Sequence, residues 1–169
     1  MRGKLDIFDK QDKNIVEEIP VSDNSEYASF LKDGNNGILV VHEKYRNSDE
    51  IVAQPDSGQF IKWIRINHPE IKVEEQLYEK RLVLHSNEYW LPVVFLASDV
   101  TLPIYLNLVA SYLYDMSKGL LKGENQRIHF SAVYEDKKKG ITKRINFDGD
   151  ENSLQKTIKR FDVNQFMNY

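Results

Sequence analysis

Leu102-Pro103-Ile104-Tyr105-Leu106-Asn107-Leu108-Val109-Ala110-Ser111-Tyr112-Leu113-Tyr114-Asp115-Met116-Ser117-Lys118-Gly119-Leu120-Leu121 is the stretch on which the reading of this chain turns. Leu102, Leu106, Val109, Leu113, Met116 and Leu120 recur at alternating steps of four and three, the heptad seam of one long helix. Ile104, Tyr105, Leu108 and Tyr112 lie off that seam, so the first half of the helix is apolar on more than one side and has to be buried on several. A domain's central helix, a contact with a partner and a membrane-embedded element all meet that requirement. Asp99 reads as its N-cap, Pro103 sits in the first turn where a missing N–H costs little, and Gly119 or Gly123 can end it.

Beyond the helix, Ile128, Phe130, Ala132 and Tyr134 alternate with Arg127, His129, Ser131 and Val133, and Ile141, Ile145 and Phe147 form the apolar face of a returning strand. Asp150 or Ser153 then caps a last helix whose Leu154, Ile158 and Phe161 line one face. Before the long helix, Lys80–His85 and Glu88–Leu96 read as a hairpin around Ser86-Asn87, with Pro92 placing its second strand at an edge or a bulge. Gln59–Asn67 favours a helix that stops before Pro69, and polar Glu43–Gly58 reads as a surface loop.

At the front, Ile15–Val21 reads as a strand. Asp23 with Glu26 has the form of a capping box for a helix burying Tyr27, Phe30 and Leu31. Gly34 is placed to end that helix, and Ile38-Leu39-Val40-Val41 is an apolar run suited to a strand covered on both faces. Together these resemble a small βαβ unit, and if its strands are parallel, ligands would gather near their carboxyl ends. The expected architecture is an α+β mixed sheet with an N-terminal βαβ-like unit, a long central amphipathic helix and a C-terminal β-hairpin plus helix. We expect one domain over 1–169, with an acidic α/β part (1–98) and a helix-hairpin-helix part (99–169).

Hydrophobic content of 41% and charged content of 29% argue against wholesale disorder and against a wholly membrane-embedded chain. The charge is uneven: residues 1–100 carry 12 basic and 18 acidic side chains, residues 101–169 carry 11 basic and 8 acidic. Lys137, Lys138, Lys139, Lys143 and Arg144 crowd one turn, a basic patch that reads first as a solvated hairpin tip protected against edge pairing. A dedicated nucleic-acid binder would be more basic throughout. The absence of cysteine removes disulfides, thiolate nucleophiles and cysteine-based metal sites. That absence allows a reducing cytoplasm, and a cytoplasmic setting is expected because no export or lipid signal is read: the start turns charged at once and Gly3 stands one place too late for myristoylation.

The part from Leu102 to Phe161 resembles, in arrangement, the effector-associated constant components of bacterial conflict (anti-phage) systems. The likeness rests on Leu102-Pro103 at the helix start, Lys118-Gly119 near its end, Phe147-Asp148-Gly149-Asp150 after the hairpin, and Leu154, Ile158 and Phe161. It implies an accessory, non-catalytic part of a multi-protein immune or conflict assembly, with no catalytic residue to carry over.

Among enzymatic patterns, Pro55-Asp56 followed by Glu70-Ile71-Lys72 has the PD…ExK form of Mg²⁺-dependent nucleases, in which Asp56 and Glu70 would hold the metal and Lys72 would position water. That chemistry needs both carboxylates on adjacent strands. His42, His68, His85 and His129 are scattered without metal-ligand spacing, and His85-Ser86 lacks a nucleophile elbow. Tyr89–Tyr114 holds only Asp99 as a charge, but two prolines, Asn107 and Ser111 argue against membrane insertion. The leading expectation is a non-catalytic interaction component without cofactor or metal. It would meet a protein partner, or a second copy of itself, through Tyr105, Leu106, Val109, Tyr112, Leu113, Met116 and Leu120 of the 102–121 helix. The aromatic cluster of Tyr89, Trp90, Tyr105, Tyr112 and Tyr114 is the interaction candidate because Tyr and Trp make large rigid contacts at low entropic cost, with core packing as the commoner use of such residues. The Mg²⁺-dependent nuclease and a membrane-associated component are the alternatives.

Overall fold

The computed structural model describes residues 13–18, 25–44, 49–82, 88–118, 126–136 and 140–167. In chain order the elements are β1 (Lys13–Glu18), α1 (Ser25–Lys32), β2 (Ile38–Val41), β3 (Glu43–Lys44), β4 (Ile51–Ala53), α2 (Ser57–Asn67), β5 (Val73–Glu75), β6 (Lys80–Arg81), β7 (Tyr89–Leu96), α3 (Leu102–Ser117), β8 (Ile128–Asp136), β9 (Ile141–Gly149) and α4 (Glu151–Met167). The fold is α+β. A mixed sheet runs in the order β1-β9-β8-β7-β2-β5, and β3-β4-β6 make a separate small sheet.

The long helix stands where its periodicity places it, and the topology explains why it is apolar on so many sides. β7 and β8 are parallel neighbours, so the chain needs a crossover between them, and α3 is that crossover. β2 and β5 are likewise parallel neighbours, joined through β3, β4 and α2. On one face of the sheet α2, α3 and α4 cover Ile38, Val40, Val94, Leu96, Ile128, Phe130, Ala132, Ile145 and Phe147. This core draws on residues both before and after position 98. On the opposite face α1 packs Tyr27 and Phe30 against Val41, Phe95, Ala97 and Val133, and the Tyr27 hydroxyl donates to Leu96 O at 2.8 Å. The run Ile38–Val41 is therefore covered on both faces, as its unbroken apolarity requires.

The C-terminal unit follows its alternation closely. β8 and β9 pair antiparallel from Ile128↔Gly149 to Asp136↔Ile141. Asp150 Oδ1 accepts the Ser153 N–H at 2.8 Å and caps α4, whose Leu154 and Ile158 are buried and whose Phe161 packs against the same core.

Elsewhere the three-dimensional pairing departs from the local reading. The strand-helix-strand order at the front is present, but β1 lies at the far edge of the sheet against β9, with β9, β8 and β7 between it and β2. The directions of the intervening pairs make β1 and β2 antiparallel, so no parallel crossover joins them. β6 and β7 form no hairpin: β6 pairs with β4, whereas β7 is interior between β8 and β2. The β7 register shifts between Trp90 and Val93, so Pro92 sits at a bulge in an interior strand, where its missing N–H breaks no ladder bond. The turn Ser86-Asn87 and the cap residue Asp23 lie outside the described residues. The segment read as a loop, Glu43–Gly58, contains β3, β4 and the start of α2. Thr101 rather than Asp99 stands at the N-cap of α3, and Asp99 Oδ1 instead accepts the Gly37 N–H at 2.9 Å. Gly37 O in turn accepts the Ala97 N–H at 2.9 Å, so this corner ties the end of β7 to the start of β2.

Candidate functional site

The seam of the long helix is interior. Tyr105, Leu106, Val109 and Tyr112 have no exposed surface, Leu113 retains 6%, Met116 packs against the same core, and Leu120 lies outside the described residues. Phe60 and Trp63 of α2 meet Tyr112 edge-on at ring-centroid distances of 5.0 and 5.8 Å. The contact surface expected on this seam is thus filled by the sheet and by α2. A crossover helix must turn its widest apolar side to the strands it connects.

What α3 offers to solvent is the opposite stripe: Ile104, Asn107, Ser111, Tyr114 and Lys118, again at steps of three and four. Tyr114 is 64% exposed and Ile104 44%. Asn107 Nδ2 donates to Pro103 O at 2.8 Å, which holds its side chain along the helix. Lys118 Nζ reaches Asp115 at 3.2 Å and lies 5.2 Å from the Tyr114 ring centroid. The Trp63 indole N–H donates to Asp115 Oδ2 at 2.8 Å, and this bond, aided by Lys118, holds the Asp115 carboxyl below its ordinary range. The stripe is rigid because the helix beneath it is packed on the sheet and pinned to α2.

The nuclease pattern is taken apart by α2. Asp56 precedes that helix and Glu70 follows it, and eleven residues of helix span about 16 Å. Asp56 Oδ2 accepts the Trp90 N–H at 2.7 Å, Glu70 reaches His68 at 3.2 Å, and Lys72 pairs with Glu74 at 3.1 Å. Two carboxylates at opposite ends of a helix cannot share one Mg²⁺. Among the described residues no group of three His, Asp or Glu side chains could hold a metal ion.

Asp56 is nevertheless an unusual carboxylate. Burial pushes it above its ordinary value against the opposing Trp90 bond, and it faces Tyr89 and Tyr112, whose phenols are raised by burial first and by the Asp56 charge second. Folding therefore favours the protonated acid. That contribution is complete below the ordinary aspartate range and is lost as pH rises through the raised folded-state value. Asp56→Asn keeps an oxygen for the Trp90 N–H and cannot ionise, so it is expected to flatten this decline in urea midpoints measured from the acid range to neutrality. An unchanged profile would assign the slope to other groups.

The sheet also assembles a polar cluster on the face that α1 leaves to β8 and β9. His129 Nε2 lies 2.7 Å from Glu88 and Nδ1 3.3 Å from Asp148, while Arg127 binds Asp148 Oδ1 at 3.0 Å. The Trp90 ring stacks on His129 at 3.7 Å and 9°. A catalytic imidazole needs one nitrogen turned to a substrate. Here both face carboxylates, and the ring ties β8 to β9 and to the start of β7. The chain matches no known protein family, curated protein or solved structure. Geometry alone therefore speaks for the cluster. Its signal in the sequence was the alternation Arg127, His129, Ser131, but the partners Glu88 and Asp148 come from strands whose register no local pattern discloses.

His42 is buried after β2, with Nε2 2.7 Å from Glu75 and the Tyr78 ring at 4.9 Å; its Nδ1 has no partner among the described residues. His85 lies outside them. Of the basic patch, Lys137, Lys138 and Lys139 also lie outside, Lys143 pairs with Asp136 at 2.9 Å, and Arg144 donates to Asn146 at 2.9 Å. Lys143 and Arg144 are successive in β9 and so belong to opposite faces of the sheet. No helix among the described residues is long and apolar enough to cross a membrane.

Proposed function

We propose that this chain is a non-catalytic protein-interaction component, an accessory subunit of a bacterial multi-protein assembly of the immune or conflict kind working in the cytoplasm, and that it meets its partner through the outward stripe of α3. The carrying observation is the exposure of Tyr114 and Ile104 on a helix whose other sides are locked in the core. An exposed aromatic and a branched aliphatic on a rigid platform, separated by short Asn107 and Ser111, give a partner apolar area with little ordering cost. The arrangement of Leu102–Phe161 supports the same reading through the likeness described above.

The test uses the tagged chain at native expression in its own host. The wild-type chain is expected to co-purify with a stoichiometric partner, whereas Ile104→Lys combined with Tyr114→Lys loses it. The double variant should keep its far-UV spectrum and a stability within about 1 kcal/mol, as exposed substitutions do. A wild-type chain that purifies as a clean monomer with nothing bound would overturn the proposal.

A further inference from the structure

We infer that the segment docking on this protein is an acidic stretch of polypeptide, received by a basic, apolar-studded surface that spans the outer sides of α2, α3 and α4. This rests on the interaction reading above and adds the chemistry of the partner.

The three helices share one sheet face, α3 packing on α4 and tied to α2 by the Trp63–Asp115 bond. Their buried positions fix which residues look outward. In α4 Leu154, Thr157 and Ile158 are buried, so Lys156 and Lys159 stand on the opposite side. In α2 Phe60, Ile61 and Ile64 are buried, so Lys62 and Ile66 do, and Ile66 is 66% exposed. With Tyr114 and Lys118 of α3, the layer presents cations around separate apolar side chains.

The whole chain carries a net charge of −3, yet this layer is positive. Within residues 57–67, 102–117 and 151–161 of the three helices the carboxylates are Asp115, held by Trp63 and Lys118, and Glu151 in the first turn of α4. Lys62, Lys156 and Lys159 have no carboxylate partner among the described residues. Acidic side chains collect elsewhere, at exposed Glu43, Glu70, Glu74 and Glu79. A surface that concentrates cations against the chain's overall sign selects a partner by complementary charge and speeds its encounter. The occupant is a protein segment rather than a lipid surface or nucleic acid. The cations are spread over three helices instead of forming the dense run that anionic membranes recognise, and the apolar residues between them need apolar cover.

The experiment places a photo-crosslinking residue at Ser111, and separately at Leu77 on the connection between β5 and β6, in the full chain expressed in its host, with crosslinked peptides mapped by mass spectrometry. Crosslinks from Ser111 are expected in one protein segment whose Asp and Glu outnumber its Lys and Arg. Lys156→Glu with Lys159→Glu should weaken capture of that protein by about tenfold or more, and Lys156→Gln with Lys159→Gln by less. Crosslinks from Ser111 into a neutral or basic segment, or capture unaffected by charge reversal, would overturn the inference. Lysine-dependent binding of the purified chain to vesicles of mixed phosphatidylcholine and phosphatidylserine, without a protein crosslink at Ser111, would overturn it in favour of a lipid surface. Protein crosslinks from Leu77 alone would refute this inference and the α3 contact, and would leave only a non-catalytic interaction role exercised through another surface. An absence of protein crosslinks from both positions would refute both.

Discussion

Leu106→Lys is expected to abolish the cooperative unfolding transition, leaving a chain with little fixed tertiary structure at room temperature. Leu106 has no exposed surface, and the long helix that carries it packs on the sheet beside α2 and α4 with this residue turned inward. Placing an ammonium there removes a full leucine from the core and strands a charge with no acidic partner among the core residues around it. Even the milder Leu106→Ala should cost about 2–5 kcal/mol, because a crossover helix packed on several sides cannot collapse into the cavity left behind. Typical domains have only about 5–15 kcal/mol in total. Urea denaturation followed by circular dichroism reads both variants. Had the heptad seam been a partner contact, Leu106→Lys would fold normally and only lose its partner. A wild-type midpoint for that variant would therefore remove α3 from the core and restore the seam as an interface.

Gly37→Ala is expected to destabilise the protein by about 3 kcal/mol, from backbone strain and overpacking together. Gly37 has φ +81°, and a Cβ added there would stand 2.0 Å from Lys72 O. That oxygen has no freedom to withdraw, since it accepts the Ile38 N–H at 2.8 Å beside the parallel β2–β5 pairing. The Gly37 N–H is also engaged by Asp99. Gly34 supplies the internal control: its φ is +70°, but a Cβ meets nothing within 4 Å. Gly34→Ala should cost only about 1 kcal/mol, the conformational part alone. Equal losses for the two variants would show that the close approach to Lys72 is not what Gly37 provides.

Several elements were legible because local chemistry decides them. The 3.6-residue periodicity of Leu102–Ser117, the alternation of Ile128–Tyr134 and the Asp150 cap each satisfy their own backbone within a few residues. Pro92 could be assigned to an edge or a bulge because proline cannot donate a ladder bond wherever the strand lies. Gly34 ends α1 with a positive φ, as its position after Leu31 suggested.

The candidate site was less legible, for a reason visible in particular residues. Tyr112 and Tyr114 differ little as side chains, yet one is wholly buried and the other is 64% exposed. A two-residue step on a helix turns the side chain through most of a half-circle, and only the placement of sheet, α2 and α4 says which side is inside. Lys62 lies far in sequence from Lys156 and Lys159, and the three become one surface only when α2 and α4 flank α3.

By itself the sequence determined the kind and order of the central and C-terminal elements, the two-sided burial of Ile38–Val41, and the removal of cysteine chemistry, since each depends on neighbours within a turn or a strand. Tertiary structure alone decided that the seam faces the sheet, that β1 pairs with β9 across the molecule from β2, that β6 and β7 part company, and that Asp56 and Glu70 stand at opposite ends of α2. Those outcomes depend on which strands become neighbours. Pairing between strands distant in the chain is settled by burying apolar area over long sequence separations, whereas the local pattern fixes only each strand's faces and the hairpin partner next to it.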